Sequence, residues 1–351
     1  MTLTGSVVST ARTLARPARN ARLQWSERES CIIRLESGDG NRGQGEAAPL
    51  PGFSPDSLPA CRQALTALDL AGITERLEPN QDVTGELGRA SSRLPESLPA
   101  ARAALEGALL DLWSRAAGMP AWALLSPAAR TPIPRAVAAL LMGEPEQAMT
   151  QALAARARGV RSFKFKIGRP GALDRELSAV RQLRAELGSL VRLRLDANQS
   201  LTVAEAKQYL PGFLACQLEF IEEPSAPLDL CQLDELELPY ALDESLAGGA
   251  RPRPGDRAVI LKPTLLGGVS GCFPIIRAAH AVGADVILSH AFEGPLGLAL
   301  SACLALSVGS ETRAHGLDLE GARLDGFSLP FFSEARIHAW SEPGFGLPEF
   351  T

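Results

Sequence analysis

An alternation of short apolar runs with amphipathic helical runs constrains the fold of this chain more than any other sequence feature. Eight apolar runs occur between residues 135 and 319: RAVAAL, FKFKI, VRLRLDAN, LEFIEE, YALDES, AVILKP, DVILSH and TRAHGLDL. Helical stretches such as ALDRELSAVRQLRAEL and VAEAKQYLPGFLA separate several of them. Strand–helix alternation repeated eight times is typical of a (β/α)₈ barrel. We therefore predict an α/β protein whose barrel occupies residues 129–324.

The first 128 residues follow a different pattern. Strand-like runs extend from Thr4 to Glu46 across the glycine-rich turn GDGNRGQG, and Ala- and Leu-rich runs with helical periodicity follow from Leu58 to Ala117. This order predicts an α+β domain over residues 1–128. We expect segment 325–351, which follows the eighth apolar run, to pack back on that domain and complete it.

Charge and cysteine content exclude several classes of partner. The 35 Lys and Arg residues are outnumbered by 40 Asp and Glu residues, so the net charge of −5 offers no basic footprint for nucleic acid or anionic membranes. No apolar run approaches the ~20 residues that span a bilayer. The six cysteines include no Cys-x-x-Cys pair, which indicates buried thiols in a reducing compartment. We expect a cytoplasmic protein, and the sequence leaves its oligomeric state open.

Three carboxylates stand at the ends of successive apolar runs. Asp196, Glu222 and Asp243 lie 26 and 21 residues apart, close to one strand–helix unit each. The strand ends of a (β/α)₈ barrel meet at one mouth, so these side chains should converge there. Neighbouring carboxylates repel one another unless a cation neutralises them, and an all-oxygen set suits Mg²⁺ or Mn²⁺. The spacing therefore predicts a divalent metal site.

The lysines are rare, and their positions are selective. Only four of the 35 basic residues are lysines, and three of these, Lys164, Lys166 and Lys262, fall at predicted strand ends. Lys164 and Lys166 are two residues apart and share one strand face. Partial burial and a neighbouring cation lower the pKa of an ammonium group toward neutrality, which lets a lysine act as a base. The alternative is that all three are ordinary ion-pair partners.

Other polar residues near the strand ends are weaker candidates. Arg194 and Asn198 share the strand face of Asp196, while Gly267 and Gly268 allow either a close backbone approach to an anionic substrate group or a turn. The four histidines are too scattered for a zinc site, and we assign no catalytic role to the two near strand ends. The absence of Gly-x-Ser-x-Gly and P-loop motifs argues against a serine hydrolase and a nucleoside-triphosphate enzyme.

Seven segments carry a resemblance to a known family. They are GEAAPLPGFSPDS (45–57), RLRLDANQSLT (192–202), EFIEEP (219–224), ALDESL (241–246), LKPTLLGG (261–268), SHAFEGPLGLAL (289–300) and HGLDL (315–319). With them the sequence resembles the enolase superfamily, and within it the branch that forms 2-succinylbenzoate in menaquinone biosynthesis. The resemblance covers nearly the whole chain. It implies that the N-terminal domain caps the barrel mouth, with loops near 16–25 and 48–55 closing over the substrate.

The resemblance also implies a reaction on a small-molecule carboxylate. Mg²⁺ held by Asp196, Glu222 and Asp243 binds the substrate carboxylate and stabilises the enediolate formed when Lys166 removes the adjacent proton. Lys166, now the conjugate acid, then protonates the departing hydroxyl. The net change is dehydration of 2-succinyl-6-hydroxy-2,4-cyclohexadiene-1-carboxylate to 2-succinylbenzoate.

The same resemblance gives roles to further side chains. Lys164 tunes Lys166 electrostatically. Lys262 lies over the opposite face of the ring and stabilises the developing anion by its charge and by a cation–π contact. Residues that support the substrate are implied at Arg194, Asn198 and Ser289.

Two other interpretations stay open. A dipeptide epimerase or N-acylamino-acid racemase of the same superfamily would share the metal triad and the lysines on both faces. Such epimerases often hold a substrate amine with an Asp-x-Asp motif at the eighth strand. This chain has Asp318-Leu319-Glu320 at that position, which favours the dehydratase. The other alternative is a non-catalytic metal-binding barrel, but buried lysines beside a metal would only lower its stability.

Overall fold

A computed structural model of the chain describes residues 3–19, 23–78, 81–126, 131–318 and 329–350. Both predicted domain boundaries, at 128/129 and at 324/325, fall outside these ranges. The division of the chain at those points therefore stays a prediction.

The N-terminal part is a three-stranded antiparallel sheet covered by helices. Its strands, paired in chain order, are β1 (Thr4–Arg19), β2 (Gln24–Glu36) and β3 (Arg42–Ala47). The helices that follow are α1 (Leu58–Thr66), α2 (Val83–Ser91), α3 (Pro99–Ala116) and α4 (Ala121–Leu125). Both the sheet and the helical run match the pattern read from the sequence.

Helix α3 is the centre of this part. Its proline stands in the first turn, where the missing N–H has no helical partner, and its alanine-rich interior favours a helix. The helix packs directly on β3 at two glycines. A Cβ atom on Gly43 would lie 2.2 Å from the Ala108 carbonyl oxygen, and one on Gly45 would lie 1.9 Å from that of Ala104. A larger residue at either position would collide with the backbone of α3. This close contact between β3 and α3 fixes the position from which the loop after β3 begins.

A curled parallel sheet begins near residue 139. The first predicted strand, RAVAAL, is divided: β4 (Arg135–Ala136) pairs with C-terminal residues, and β5 (Ala139–Leu141) opens the parallel sheet. The remaining parallel strands, in spatial order, are β6 (Ser162–Lys166), β7 (Arg192–Asp196), β8 (Phe220–Glu222), β9 (Tyr240–Leu242), β10 (Ala258–Leu261) and β11 (Asp285–Leu288).

Helices connect these strands and cover the outside of the sheet. They are α5 (Ala148–Ala157), α6 (Leu173–Leu187), α7 (Val203–Leu214), α8 (Glu244–Ala247), α9 (Pro263–Leu266), α10 (Val269–Val282) and α11 (Pro295–Val308). Two 3₁₀ helices span Pro145–Gln147 and Pro227–Leu236.

The eighth predicted run closes the barrel without forming a regular strand. His315 bridges in parallel to Val137 on one side, and Gly316 bridges to Ser289 on the other. The Gly316 amide also donates to the Leu288 carbonyl at 2.8 Å. These bridges join the last strand of the sheet to the first. The (β/α)₈ barrel with an N-terminal capping domain is confirmed.

Two connections differ from the regular alternation that the sequence predicts. A 3₁₀ helix, not an α-helix, joins β8 to β9, and only the one-turn helix α8 stands between β9 and β10. The stretch GGARPRPG (248–255) stops α8, because proline and glycine do not continue a helix. Lys262 therefore follows Asp243 after only 19 residues.

The C-terminal residues return to helix α3. The short strands β12 (Phe332–Ser333) and β13 (Arg336–Ile337) pair with each other and with β4. The Phe345 amide donates to Oδ1 of Asp111 in α3 at 2.8 Å, and Arg115 of α3 donates to the Leu347 carbonyl at 2.9 Å. These are the contacts expected of a segment that packs back on the N-terminal domain.

No helix in the described ranges combines the length and the apolar character that crossing a bilayer requires. All six cysteines carry free thiols, and five of them are buried. The exception, Cys231, is exposed in the 3₁₀ helix before β9.

Candidate active site

The carboxyl ends of the barrel strands open into a cavity under the capping domain. Its volume, including the open mouth, is about 720 Å³. The polar or charged residues in its lining are Lys164, Lys166, Arg194, Asp196, Asn198, Glu222, Lys262, Ser289 and His290. The apolar part of the lining includes Trp25, Leu50 and Phe53 from the capping domain.

The three predicted metal ligands converge. Asp196 and Glu222 are the last residues of β7 and β8, where parallel pairing places them side by side, and Asp243 follows β9 directly. All three side chains are buried, and one oxygen from each lies within 4.8 Å of the others. The strand register thus brings together carboxylates that are up to 47 residues apart in sequence.

The three lysines surround these carboxylates. Lys164 Nζ lies 2.9 Å from a Glu222 oxygen, and Lys166 Nζ lies 3.1 Å from Oδ2 of Asp196. On the other side, Lys262 Nζ contacts both oxygens of Asp243, at 2.6 Å for Oδ1. Strand β6 carries Lys164 and Lys166, and Lys262 directly follows β10, which is four positions away around an eight-membered barrel. The lysines therefore face the cavity from opposite sides.

The carboxylates set the protonation of the site. Burial alone would lower the pKa of Lys164, but the charges of Glu222, Asp196 and Asp243 outweigh burial and raise it. The pKa of Lys262 is raised in the same way, chiefly by Asp243. Lysine pKa values near neutrality are expected beside a bound cation, and the raised values of Lys164 and Lys262 belong to the protein side chains by themselves. Lowering them requires the positive charge of a bound cation.

The donor set fits a divalent cation. The pKa of Glu222 is raised to about 7, first by burial and also by the nearby Asp196 and Asp243, against the opposing charge of Lys164. Such crowding of buried negative charge is relieved by a hard cation that takes oxygen ligands, such as Mg²⁺ or Mn²⁺. Asp196, Glu222 and Asp243 would hold it, with substrate or water completing the coordination.

Asn198 links Lys166 to a carboxylate that the sequence analysis did not single out. Lys166 Nζ donates to Asn198 Oδ1 at 2.8 Å, and Asn198 Nδ2 donates to Glu244 Oε1 at 2.5 Å. Burial raises the pKa of Glu244 to about 8. The predicted substrate residue Asn198 thus also positions the lysine.

Glu223 is a second carboxylate that the sequence analysis missed. It is fully buried, and its Oε1 accepts from the Asp243 amide at 2.7 Å and from both the amide and the hydroxyl of Ser245. Its Oε2 accepts from the Tyr240 hydroxyl at 3.1 Å and from Gln199 at 3.0 Å. The only sequence feature that could have indicated Glu223 and Glu244 is that each directly follows a predicted metal ligand, in the acidic pairs Glu222-Glu223 and Asp243-Glu244. Glu223 holds the backbone of a predicted metal ligand.

The remaining predicted substrate residues lie in different surroundings. Ser289 lines the cavity and donates to the Gly316 carbonyl at 3.2 Å. Arg194 also lines it, but Nε donates to Glu219 at 2.6 Å and Nη1 to the Ala314 carbonyl at 2.8 Å, so these contacts stabilise the barrel.

Gly267 is not brought to the cavity. It ends α9 with φ +83°, and the nearest side chain to a Cβ placed there would be that of Arg102 in α3. Its neighbour Gly268 has φ +93°, and a Cβ on it would lie 2.5 Å from Glu106. The glycine pair therefore forms a turn against the capping domain, and not a close backbone approach to a substrate group in the cavity.

The capping domain covers the cavity with aromatic side chains. The Phe53 ring centroid lies 5.3 Å from Lys262 Nζ, and Trp25 packs 6.4 Å from Phe292. Phe53 lies in the predicted closing loop 48–55. Trp25 lies within the other predicted loop, 16–25, but it stands on strand β2, and residues 20–22 of that segment lie outside the described ranges. Arg12 on β1 donates to the carbonyl of Phe292 at 2.8 Å.

The two histidines near strand ends make hydrogen bonds. Nδ1 of His315 accepts from the Leu288 amide at 3.0 Å, and Nδ1 of His290 accepts from the Phe292 amide at 3.1 Å. Burial lowers the pKa of each imidazole to about 3. Both are therefore neutral at physiological pH.

Two family profiles match this chain. The profile described as "Enolase C-terminal domain-like" matches residues 147–348, and that described as "Mandelate racemase / muconate lactonizing enzyme, N-terminal domain" matches residues 3–126. The fold and the strand-end groups define a capped barrel enzyme. The chain belongs to the enolase superfamily.

The relatives of this chain are named for different reactions. An o-succinylbenzoate synthase from Edwardsiella ictaluri is 32% identical over 298 residues, which cover 82% of this chain and 80% of the relative. An N-succinylamino acid racemase from Thermus thermophilus is 29% identical over 328 residues, which cover 90% and 81%. A dipeptide epimerase from Methylococcus capsulatus, solved with Mg and L-Arg-D-Lys, matches with a TM-score of 0.80, 26% identity and 99% of each chain covered.

Proposed function

We propose that this protein is an o-succinylbenzoate synthase of menaquinone biosynthesis, which dehydrates 2-succinyl-6-hydroxy-2,4-cyclohexadiene-1-carboxylate with the help of Mg²⁺ or Mn²⁺. The charge of the cavity carries the proposal. Apart from Asp196 and Glu222, every charged side chain in the described lining is cationic, namely Arg194 and the three lysines. The substrate has two carboxylates, and such a lining favours the one that does not bind the metal.

A dipeptide would fit this lining less well. Its free ammonium group would meet the three lysines and, among the described lining residues, no carboxylate besides the metal ligands. Asp318 lines a neighbouring cleft beside β5 instead, and Leu319 and Glu320 lie outside the described ranges. The charge distribution therefore supports a substrate with a second anionic group over one with a free amine.

Lys166 is the proposed base. Asp196, Glu222 and Asp243 would hold a divalent cation, whose positive charge would make the C–H bond next to the substrate carboxylate more acidic. Lys166 Nζ, held by Asn198 Oδ1 at the edge of this site, takes that proton. The resulting ammonium group returns the proton to the hydroxyl, which leaves as water while the ring becomes aromatic.

Lys164 and Lys262 act through charge. Lys164 lies on the same strand face as Lys166, and its Nζ contacts Glu222. Because like charges repel, the ammonium of Lys164 disfavours a second positive charge on Lys166. Lys262 faces the substrate from across the barrel, where a fixed cation stabilises the negative charge that develops when the proton is removed. The Phe53 ring, whose centroid lies 5.3 Å from the same ammonium, supports a cation–π role for Lys262.

A second candidate is racemisation of N-succinylamino acids. Racemisation removes a proton from one face of the carbon next to the substrate carboxylate and returns it to the other face. Lysines on opposite sides of the cavity provide the two groups that this requires. An N-succinyl substrate also carries the second carboxylate that the cationic lining favours. The Thermus thermophilus relative supports this candidate as directly as the Edwardsiella ictaluri relative supports the first.

The proposal is tested by following formation of the aromatic product spectroscopically in the presence of Mg²⁺. Lys166→Ala should lower kcat by about 10³-fold or more, since the base and the acid are the same group. The matched control is Lys207→Ala, because Lys207 is the one lysine on the protein surface and pairs with Glu235 at 2.8 Å. It should leave kcat unchanged. If the unaltered protein forms no aromatic product, the proposal is rejected.

A further inference from the structure

The turn after β11 holds an aromatic residue in a strained conformation. Phe292 has φ +59°, in the left-handed region that bulky side chains rarely adopt. Its ring lines the cavity on the side of the capping domain. Such strain persists only where the surrounding structure enforces it, and it concentrates at functional sites. We call residues 290–293 the Phe292 turn.

Both backbone polar groups of Phe292 are engaged. Its N–H donates to Nδ1 of His290 at 3.1 Å. Its carbonyl accepts from Arg12 Nη2 at 2.8 Å and from Arg28 Nε at 3.1 Å. Because Arg12 lies on β1 and Arg28 on β2, the capping domain holds the barrel's Phe292 turn in place.

Arg28 also joins this turn to the loop that covers the cavity. Its guanidinium donates to the Ala48 carbonyl at 2.6 Å, the Pro49 carbonyl at 2.9 Å and the Ala291 carbonyl at 3.3 Å. The side chain is almost completely buried, and burial lowers its pKa to about 10, so it stays cationic at neutral pH. The segment after Pro49 carries Phe53 into the cavity lining.

The ring of Phe292 contacts aromatic side chains on two sides. It meets the His290 ring edge-on, with centroids 5.1 Å apart and an interplanar angle of 77°. On its other side Trp25 lies 6.4 Å away, and the Trp25 indole nitrogen donates to the Pro51 carbonyl at 2.9 Å. Trp25, Phe292 and Leu50 form one small apolar cluster with Phe53 packed against it.

We propose that Phe292 is a specificity-determining residue whose ring forms a rigid apolar wall for the hydrocarbon part of the substrate, and that Arg12 and Arg28 are positioning residues that hold this wall from the capping domain. The inference rests on the proposed function only for the choice of substrate. The lysines and the metal ligands stand on the barrel strands, so loosening the wall should weaken binding far more than it slows the chemical step.

The test compares three variants under saturating Mg²⁺. Phe292→Ala removes the wall, Arg12→Met removes one of its two arginine contacts, and Arg42→Met is the control. Arg42 is a capping-domain arginine that is half exposed, pairs with Glu36 and Glu349, and is not part of the cavity lining. We expect KM to rise about tenfold or more in Phe292→Ala and Arg12→Met, with kcat changed by less than about threefold. Arg42→Met should match the unaltered protein.

Two further measurements separate positioning from general destabilisation. The double variant Arg12→Met/Phe292→Ala should have a KM close to that of Phe292→Ala alone, because Arg12 acts through the wall that is already missing. Arg12→Met should also shift the fluorescence of Trp25, which is resolved by subtracting the spectrum of a Trp25→Phe background. Additive effects on KM would overturn the positioning role of Arg12.

Failure of this inference is distinguishable from failure of the proposed function. The KM ratios are measured on whichever substrate the unaltered protein turns over, whether by dehydration or by racemisation. If neither reaction occurs, the affinity for 2-succinylbenzoate is measured by calorimetry on the same variants. Unchanged KM or Kd in both Phe292→Ala and Arg12→Met would reject the wall, whatever the reaction proves to be.

Discussion

Replacing Glu223 with glutamine tests how the metal site is held. The side chain keeps its shape but loses its charge. Glu223 Oε1 accepts three hydrogen bonds, from the Asp243 amide, the Ser245 amide and the Ser245 hydroxyl. Its Oε2 accepts two more, from Tyr240 and Gln199. A glutamine amide can accept on one side only and presents N–H groups on the other.

The expected loss of stability follows from these five bonds. A hydrogen bond to a charged group contributes about 1 kcal/mol more than one between neutral groups, and non-additivity within one network reduces the sum to about 3 kcal/mol. Because the Asp243 backbone is no longer fixed, affinity for Mg²⁺ should also fall, by about tenfold or more.

Urea unfolding and calorimetric titration with Mg²⁺ measure the two effects. Glu235→Gln is the matched control, since Glu235 is exposed and pairs only with the surface residue Lys207; it should change the free energy of unfolding by less than about 0.5 kcal/mol. The reasoning is refuted if Glu223→Gln costs less than about 1 kcal/mol and binds Mg²⁺ as the unaltered protein does.

Three further outcomes are expected. Asp243→Asn should weaken Mg²⁺ binding about tenfold or more and abolish the rise in Tm that Mg²⁺ gives the unaltered protein, because a ligand that binds only the folded state stabilises it; an undiminished rise in Tm would remove Asp243 from the metal site. His315, whose pKa burial lowers to about 3, has a pKa of about 6.5 in the unfolded chain, so its contribution to stability is complete above pH 6.5 and falls by about 1.4 kcal/mol per pH unit below it. Urea unfolding of His315→Gln between pH 6.5 and 4.5 should show a slope against pH that is shallower by that amount, and identical slopes would contradict the buried neutral imidazole. Asn198→Ala should lower kcat more than it raises KM, because it frees Lys166, and steady-state kinetics that show only a higher KM would make Asn198 a substrate ligand alone.

Much of the fold could be predicted from the sequence, because strand ends carry a local signal. The runs that end in Lys166, Asp196 and Glu222 are short and apolar, and parallel register alone then places their last side chains in adjacent positions. The placement of Lys262 on the opposite side was implied by the resemblance to the enolase superfamily. The eighth run, TRAHGLDL, was also placed correctly, but it closes the barrel with isolated bridges at His315 and Gly316 and not with the regular strand that was expected.

The supporting parts of the site could not be predicted in the same way. Glu223 and Glu244 stand beside residues that were identified, but their roles depend on which direction a side chain takes after the strand ends. Arg28 and Phe292 are 264 residues apart and meet only because two domains pack together. Contacts of that kind depend on tertiary packing and leave no trace in local sequence patterns.

The most direct test of the account is a comparison of kcat/KM for three substrates with the purified protein. These are 2-succinyl-6-hydroxy-2,4-cyclohexadiene-1-carboxylate, an N-succinylamino acid and an unmodified dipeptide, each assayed with Mg²⁺ and with a chelator. The account predicts rapid, Mg²⁺-dependent formation of 2-succinylbenzoate and no reaction with the dipeptide. Epimerisation of the dipeptide without dehydration of the first substrate would contradict both the proposed reaction and the reading of the cavity's charge.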